Sequence, residues 1–143
     1  MKNILIAMGL FLLTVPAFAA EHTVKMLNNG DGGMMIFEPA VLKVSVGDTV
    51  NFVATDMAHN SVSVFTPPGA TPWRGTMSKD ISVTLDTPGV YIYECTPHNM
   101  MAMVGVIKVE SSSNLTQVKQ RAESYKKTFL MNQERLDNYL STI

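Results

Sequence analysis

The chain has 143 residues with 11 basic and 12 acidic side chains, three histidines, one cysteine and eleven methionines. So even a charge balance leaves no basic footprint for nucleic acid, no polybasic membrane patch and no acidic tail, and the length suits a single core. A single cysteine also excludes an internal disulfide framework.

In chain order, Met1-Lys2-Asn3 gives a short positive start, Ile4 to Val15 an apolar run, and Ala17-Phe18-Ala19 the small-residue pattern of a cleavage site. Residues 1–19 are therefore expected to be a secretory signal peptide, cut after Ala19 with Ala20 the near alternative. The run falls short of the ~20 residues that span a bilayer, so no membrane insertion is expected after cleavage. The bacterial-looking leader points to the periplasm, an oxidising compartment in which one unpaired cysteine has to be buried, ligated or lost. Ligation fits best.

From residue 20 to residue 110 short β-branched and apolar runs alternate with turn formers, which predicts an all-β domain. Strands are expected near 22–27, 34–37, 41–46, 49–54, 61–65, 81–85, 90–94 and 104–109. They are separated by Asn28-Asn29-Gly30-Asp31-Gly32-Gly33, Gly47-Asp48, Pro67-Pro68-Gly69 and Thr87-Pro88-Gly89. Eight short strands in this length predict a Greek-key sandwich, and the lack of helices between them excludes a parallel α/β sheet. Residues 66–79 do not alternate and read as a loop. The one tryptophan, Trp73, is expected in the core or as a lid, with partner contact as the alternative.

After Val109 the period becomes helical. Ser111-Ser112-Ser113-Asn114 offers capping side chains, Leu115, Val118, Ala122 and Tyr125 form one apolar stripe, and Phe129, Leu136, Leu140 and Ile143 another. Residues 111–143 are thus expected to be two short α-helices packed on the flank of the sandwich.

Chemistry concentrates in Cys95-Thr96-Pro97-His98-Asn99-Met100-Met101-Ala102-Met103, which follows the strand-like Gly89 to Glu94. A thiolate, an imidazole and a nearby thioether suit copper, and a His2Cys site with a weak axial Met is the blue-copper electron-transfer pattern. Only His22 and His59 could supply the second imidazole. His59 follows a predicted strand, whereas His22 reads as a strand-edge or surface residue. With Cys, two His and Met there is no open position for a substrate, so electron transfer is expected and an enzyme is not.

The loop resembles the ligand loop of the small blue copper proteins, the cupredoxins, and most closely that of their pseudoazurin branch. Met26-Leu27-Asn28, Phe37-Glu38-Pro39, Gly47-Asp48-Thr49-Val50, Asp56-Met57-Ala58-His59-Asn60 and the tail through Gln133-Glu134-Arg135-Leu136 resemble segments of that branch in the same order. The resemblance implies one copper ion, Cu(II)/Cu(I), held by His59, Cys95, His98 and Met103. Met101 would instead give the shorter spacing similar to amicyanins, but Met103 adjoins the predicted strand 104–109 and is the expected ligand. The resemblance also implies that Asn60 ties the His59 segment to Thr96 and offers its amide to the Cys95 sulfur. Pro97, having no amide hydrogen, cannot donate to that sulfur and stiffens the loop.

Implied partners are periplasmic redox proteins, cytochromes and reductases such as nitrite or nitrous oxide reductase, met by a monomer in transient complexes. A periplasmic copper chaperone or store using the methionines is the alternative. The lysines that commonly ring the exposed ligand in this branch are largely missing, with Asn29, Met57 and Glu94 in the matching neighbourhood. The expected docking patch is apolar: Met35, Met57, Ala58, Met100 and Met101, beside Pro97.

Overall fold

A computed structural model describes residues 19–143, so the expected leader, apart from Ala19, lies outside the described residues. The strands are β1 (Glu21–Gly30), β2 (Gly33–Glu38), β3 (Val41–Val44), β4 (Thr49–Val53), β5 (Val62–Phe65), β6 (Ile81–Thr84), β7 (Gly89–Glu94) and β8 (Val104–Val109). Two helices follow, α1 (Leu115–Tyr125) and α2 (Arg135–Leu140). The strands form two four-stranded sheets in the orders β2-β1-β4-β6 and β3-β8-β7-β5, with β1/β4 and β3/β8 parallel and the other pairs antiparallel. The architecture is the expected β-sandwich with two short C-terminal helices.

β1 runs longer than the sequence pattern suggests. Asn29 pairs with Met34 and Gly30 with Gly33, so the polar Asn28-Asn29-Gly30 belongs to a hairpin arm and only Asp31-Gly32 turns. β3 is shorter, because Asp48 accepts a hydrogen bond from the Ser45 amide at 3.0 Å and bends the chain there.

Between the sheets, Phe37, Phe52 and Tyr93 meet edge to face with centroids 4.7 to 6.3 Å apart. Trp73 is a core residue. It stacks on Phe52 at 5.8 Å, and its indole N–H donates to Ser61 Oγ at 3.0 Å. The second sheet is buried on both faces, which explains the nearly unbroken apolar runs of β7 and β8. Tyr91, Tyr93 and Ile107 face the inter-sheet core, while Val90, Ile92, Val104 and Val106 pack with Val118, Ala122, Phe129, Leu136 and Leu140 of the C-terminal segment. Gly105 has no room for a Cβ, because the Tyr93 ring lies directly over it.

Asn114 does not cap α1 with its side chain. The side-chain amide bonds the main chain of Val90 instead, accepting at 2.8 Å and donating at 3.0 Å. The reason lies in the sheet: β5 reaches only Ile92 to Glu94, and Asn114 supplies the partner missing at Val90. No proline is needed to divide the helices. A 3-10 turn over Lys126–Thr128 ends in extended Phe129, whose ring is buried in the second core. Lys126 then bridges Glu123 and Asp137 at 2.8 and 2.7 Å.

Candidate metal centre

Cys95 stands where β7 ends and a 3-10 segment, Thr96–Met101, begins with Pro97 in its first turn. The segment closes on Ala102 in the left-handed region (φ 57°), and the chain re-enters the sheet at Val104, directly after Met103. Main-chain bonds lock this turn: His98 N to Cys95 O at 3.1 Å, Met103 N to His98 O at 3.2 Å, and Cys95 N to Met103 O at 2.9 Å. His59 arrives from the loop between β4 and β5. Ser78 holds that loop, its hydroxyl accepting from the Ala58 amide at 2.8 Å and its own amide donating to His59 O at 2.7 Å.

The two segments, 36 residues apart, bring their donors to one point. Cys95 Sγ lies 3.5 Å from His59 Nδ1 and 3.4 Å from His98 Nδ1. Among the described residues this is the one group of His, Cys, Asp and Glu donors close enough to share an ion, with all three atoms within 4.8 Å. Donor–metal bonds of ~2.0–2.3 Å for a zinc-like ion allow a sulfur and a nitrogen on one ion to be up to ~4.3 Å apart, and both sulfur–nitrogen distances lie inside that limit. The donor chemistry, one sulfur and two imidazole nitrogens, fits copper.

Protonation also suits ligation. Burial, followed by repulsion from His98, holds His59 below the ordinary histidine pKa. Its Nε2 donates to Asn28 Oδ1 at 3.0 Å, leaving the Nδ1 lone pair facing the sulfur. Burial pushes the Cys95 thiol up, opposed by the backbone amides of Asn60 and His98, which favour the thiolate. Cys95 would hold an ion as the thiolate, in a site already supplied with hydrogen-bond donors to the sulfur.

Asn60 joins the two segments. Its Oδ1 accepts from the Thr96 amide at 2.9 Å, and its Nδ2 reaches Gly75 O at 3.3 Å and Thr96 Oγ1 at 3.4 Å. Thr96 and Pro97 are exposed, and His98 is half-buried. Met103 is fully buried in the same cluster as Cys95, whereas Met101 is half-buried and Met100 exposed. His22 lies away from the trio and bonds Asp48.

Several supporting residues escaped the sequence reading. Arg135 of α2 donates through Nη1 to Met35 O at 3.0 Å and Ala102 O at 3.1 Å, with longer contacts to Met101 O at 3.5 Å and, through Nη2, Met34 O at 3.3 Å. Asn132 Nδ2 donates to Met101 O at 3.2 Å, and the Leu130 and Met131 amides donate to Met100 O at 2.8 and 3.1 Å. Tyr125 O–H donates to Glu94, and Asn99 Nδ2 donates to the same carboxylate at 2.7 Å. Burial, then the Glu94 carboxylate, pushes the Tyr125 phenol up. Glu94 is thus turned onto α1. The sequence signals for this clamp are Tyr125 within the first apolar stripe and Arg135 next to Leu136 of the second.

Met57 and Met100 are 72% and 55% exposed, Ala58 is exposed, and Met35 is half-buried. Met34, Leu130 and Met131 enlarge the apolar surface, the last two directly beside Met100.

Residues 24–110 match the model of copper binding proteins of the plastocyanin/azurin family. The chain is 36% identical over 139 residues to the pseudoazurin of Paracoccus pantotrophus, covering 96% of this chain and 93% of that one. It is 37% identical over 132 residues to the pseudoazurin of Methylorubrum extorquens, covering 91% and 86%. The crystal structure of native pseudoazurin from Hyphomicrobium denitrificans superposes with a TM-score of 0.78 at 37% identity, covering 86% of this chain and 98% of that one. With a cysteine and two imidazoles converging at the loop of this sandwich, the chain belongs to the plastocyanin/azurin family of copper-binding electron-transfer proteins, within its pseudoazurin branch.

Proposed function

We propose that the protein is a periplasmic one-electron carrier in which His59, Cys95, His98 and Met103 hold one copper ion, after removal of residues 1–19. The observation that supports this most directly is the convergence of Cys95 Sγ with two Nδ1 atoms, two of the three ligand residues fully buried and all on segments locked by main-chain bonds. The ion, when bound, supplies a Cu(II)/Cu(I) couple. The chain supplies the rest. Asn28 keeps His59 in the ligating tautomer, Asn60 joins the two ligand segments, and Met103 closes the site from the sheet side with its side chain excluded from water. A frame that does not rearrange favours rapid electron exchange, and a site filled by four protein ligands leaves no place for substrate.

Half-buried His98 is the route in and out, and the methionines around it form the docking surface, Met35, Met57, Ala58, Met100 and Met101. Periplasmic reductases, including those for nitrite or nitrous oxide, and cytochromes meet this face of a monomer. Apolar contact predicts that electron-transfer rates fall only slightly with salt, since screening over ~8 Å acts on charges. A steep fall would restore charge steering by lysines such as Lys25, Lys79 or Lys108.

The deciding test is the copper-loaded protein. Intense colour that bleaches reversibly on reduction, and that Cys95→Ser abolishes, is the expected result. A colourless protein that binds Cu(I) and surrenders it to an acceptor would establish a store or chaperone instead.

A further inference from the structure

At the end of the sandwich where β1 begins, Asp48 is a carboxylate of only 4% exposure. Its Oδ1 accepts from the Ala20 amide at 2.8 Å. Its Oδ2 accepts from the Ser45 amide at 3.0 Å and lies 2.8 Å from His22 Nε2. These donors, Ala20 first, hold it well below the usual carboxylate range, at about 2. A buried charge calls for a counter-charge. Among the described residues, the only ionic partner seated on Asp48 is His22, which has a charge only when protonated.

We propose that Asp48 is the receptor for the α-ammonium group created when the leader is cut after Ala19. This rests on the reading of residues 1–19 as a removed leader. Water, with a leader-cleaving protease, splits the Ala19–Ala20 amide; Ala19 leaves as a carboxylate, and the Ala20 nitrogen leaves as an amine that takes up a proton near neutral pH. The nitrogen that donates to Asp48 as an amide then does so as a cation, at the same 2.8 Å position.

The contact is available in one register only. Cutting after Ala19 keeps Ala20, whose carbonyl accepts from the Thr49 amide at 2.9 Å and anchors the start of the β1/β4 ladder. Cutting after Ala20 would delete both contacts and place the charge on Glu21, already within β1. Processing thereby completes an ion cluster that ties the new N-terminus to the β3–β4 turn.

The consequence has a definite sign. The α-ammonium faces the Asp48 carboxylate, whose other oxygen meets His22, and that carboxylate lies in a cleft with Lys43, Lys108 and Glu110 on its walls. The Asp48 contact raises the amine above its ordinary range of ~7.7–8.0, so the folded protein holds that proton more tightly than the unfolded chain does. The stability gained is complete below about pH 8 and lost as pH rises through the amine's raised folded-state pKa.

The test uses the full chain expressed with its leader. Intact mass of the recovered protein should begin at Ala20, and its α-amine, followed by NMR or by pH-dependent acylation, should titrate above its ordinary range of ~7.7–8.0. Asp48→Asn should return it to the ordinary range. Should that variant fold poorly, chemical acetylation of the wild-type amine should lower the denaturation midpoint at pH 7 but not at pH 10. An amine that titrates normally, or acetylation without effect at pH 7, overturns the receptor while leaving export intact. A mass beginning elsewhere overturns the register, and an uncut chain overturns the leader reading itself.

Discussion

Replacing Arg135 with Gln should loosen the ligand loop from a distance. The guanidinium makes two well-formed bonds, to Met35 O at 3.0 Å and Ala102 O at 3.1 Å, so one side chain pins β2 to the left-handed residue that precedes Met103. A hydrogen bond to a charged group contributes ~1.5–3 kcal/mol, but Arg135 is half-buried and water can replace part of what is lost. A net cost of about 2 kcal/mol is expected, some thirtyfold in the folding equilibrium. Urea denaturation of the copper-free protein should show a lower midpoint at unchanged slope. Hydrogen exchange should quicken at Ala102 and Met103, whose amides bond Asn99 O and His98 O within the turn. In the copper-loaded protein the midpoint potential should shift, because Met103 is no longer held in one place. Arg135→Lys keeps the charge but loses the planar fork, and should fall between. A stability loss below ~0.5 kcal/mol with unchanged exchange and potential would show that the main-chain bonds of the loop suffice without α2.

Met103→Gln should retain copper with a clearly altered potential, whereas Met101→Gln, at a half-buried position, should shift it far less; the reverse order would make Met101 the axial ligand. Pro97→Ala should leave the fold and colour but raise the potential, if the new amide donates to the Cys95 sulfur and withdraws charge from the ion; an unchanged or lower value would show it pointing elsewhere. Tyr93→Phe removes a buried hydroxyl that has no hydrogen-bond partner among the described residues, so the variant should be as stable as wild type or up to ~1 kcal/mol more stable by thermal denaturation. A loss above ~1 kcal/mol would reveal a partner for that hydroxyl.

The class of fold and the chemistry of the centre are legible in the order of residues alone. Period-two runs between turn formers specify strands locally, and a Cys-x2-His spacing places two donors on one tight loop whatever surrounds it. Boundaries were less legible where polar residues pair across a hairpin, as Asn29 and Gly30 do in β1. What required the tertiary structure was every contact between segments far apart in sequence. Asn114 reads as a helix cap, yet the gap beside Val90 recruits it into the sheet. Trp73 sits in a segment without periodicity, and only the packing of Phe52 against it decides for the core. Arg135 lies about a hundred residues from the carbonyls of Met34 and Met35, and nothing local distinguishes it from a solvated helix charge. Such bonds depend on where carbonyls point after the sheets have closed, and a one-dimensional pattern holds no information about that direction.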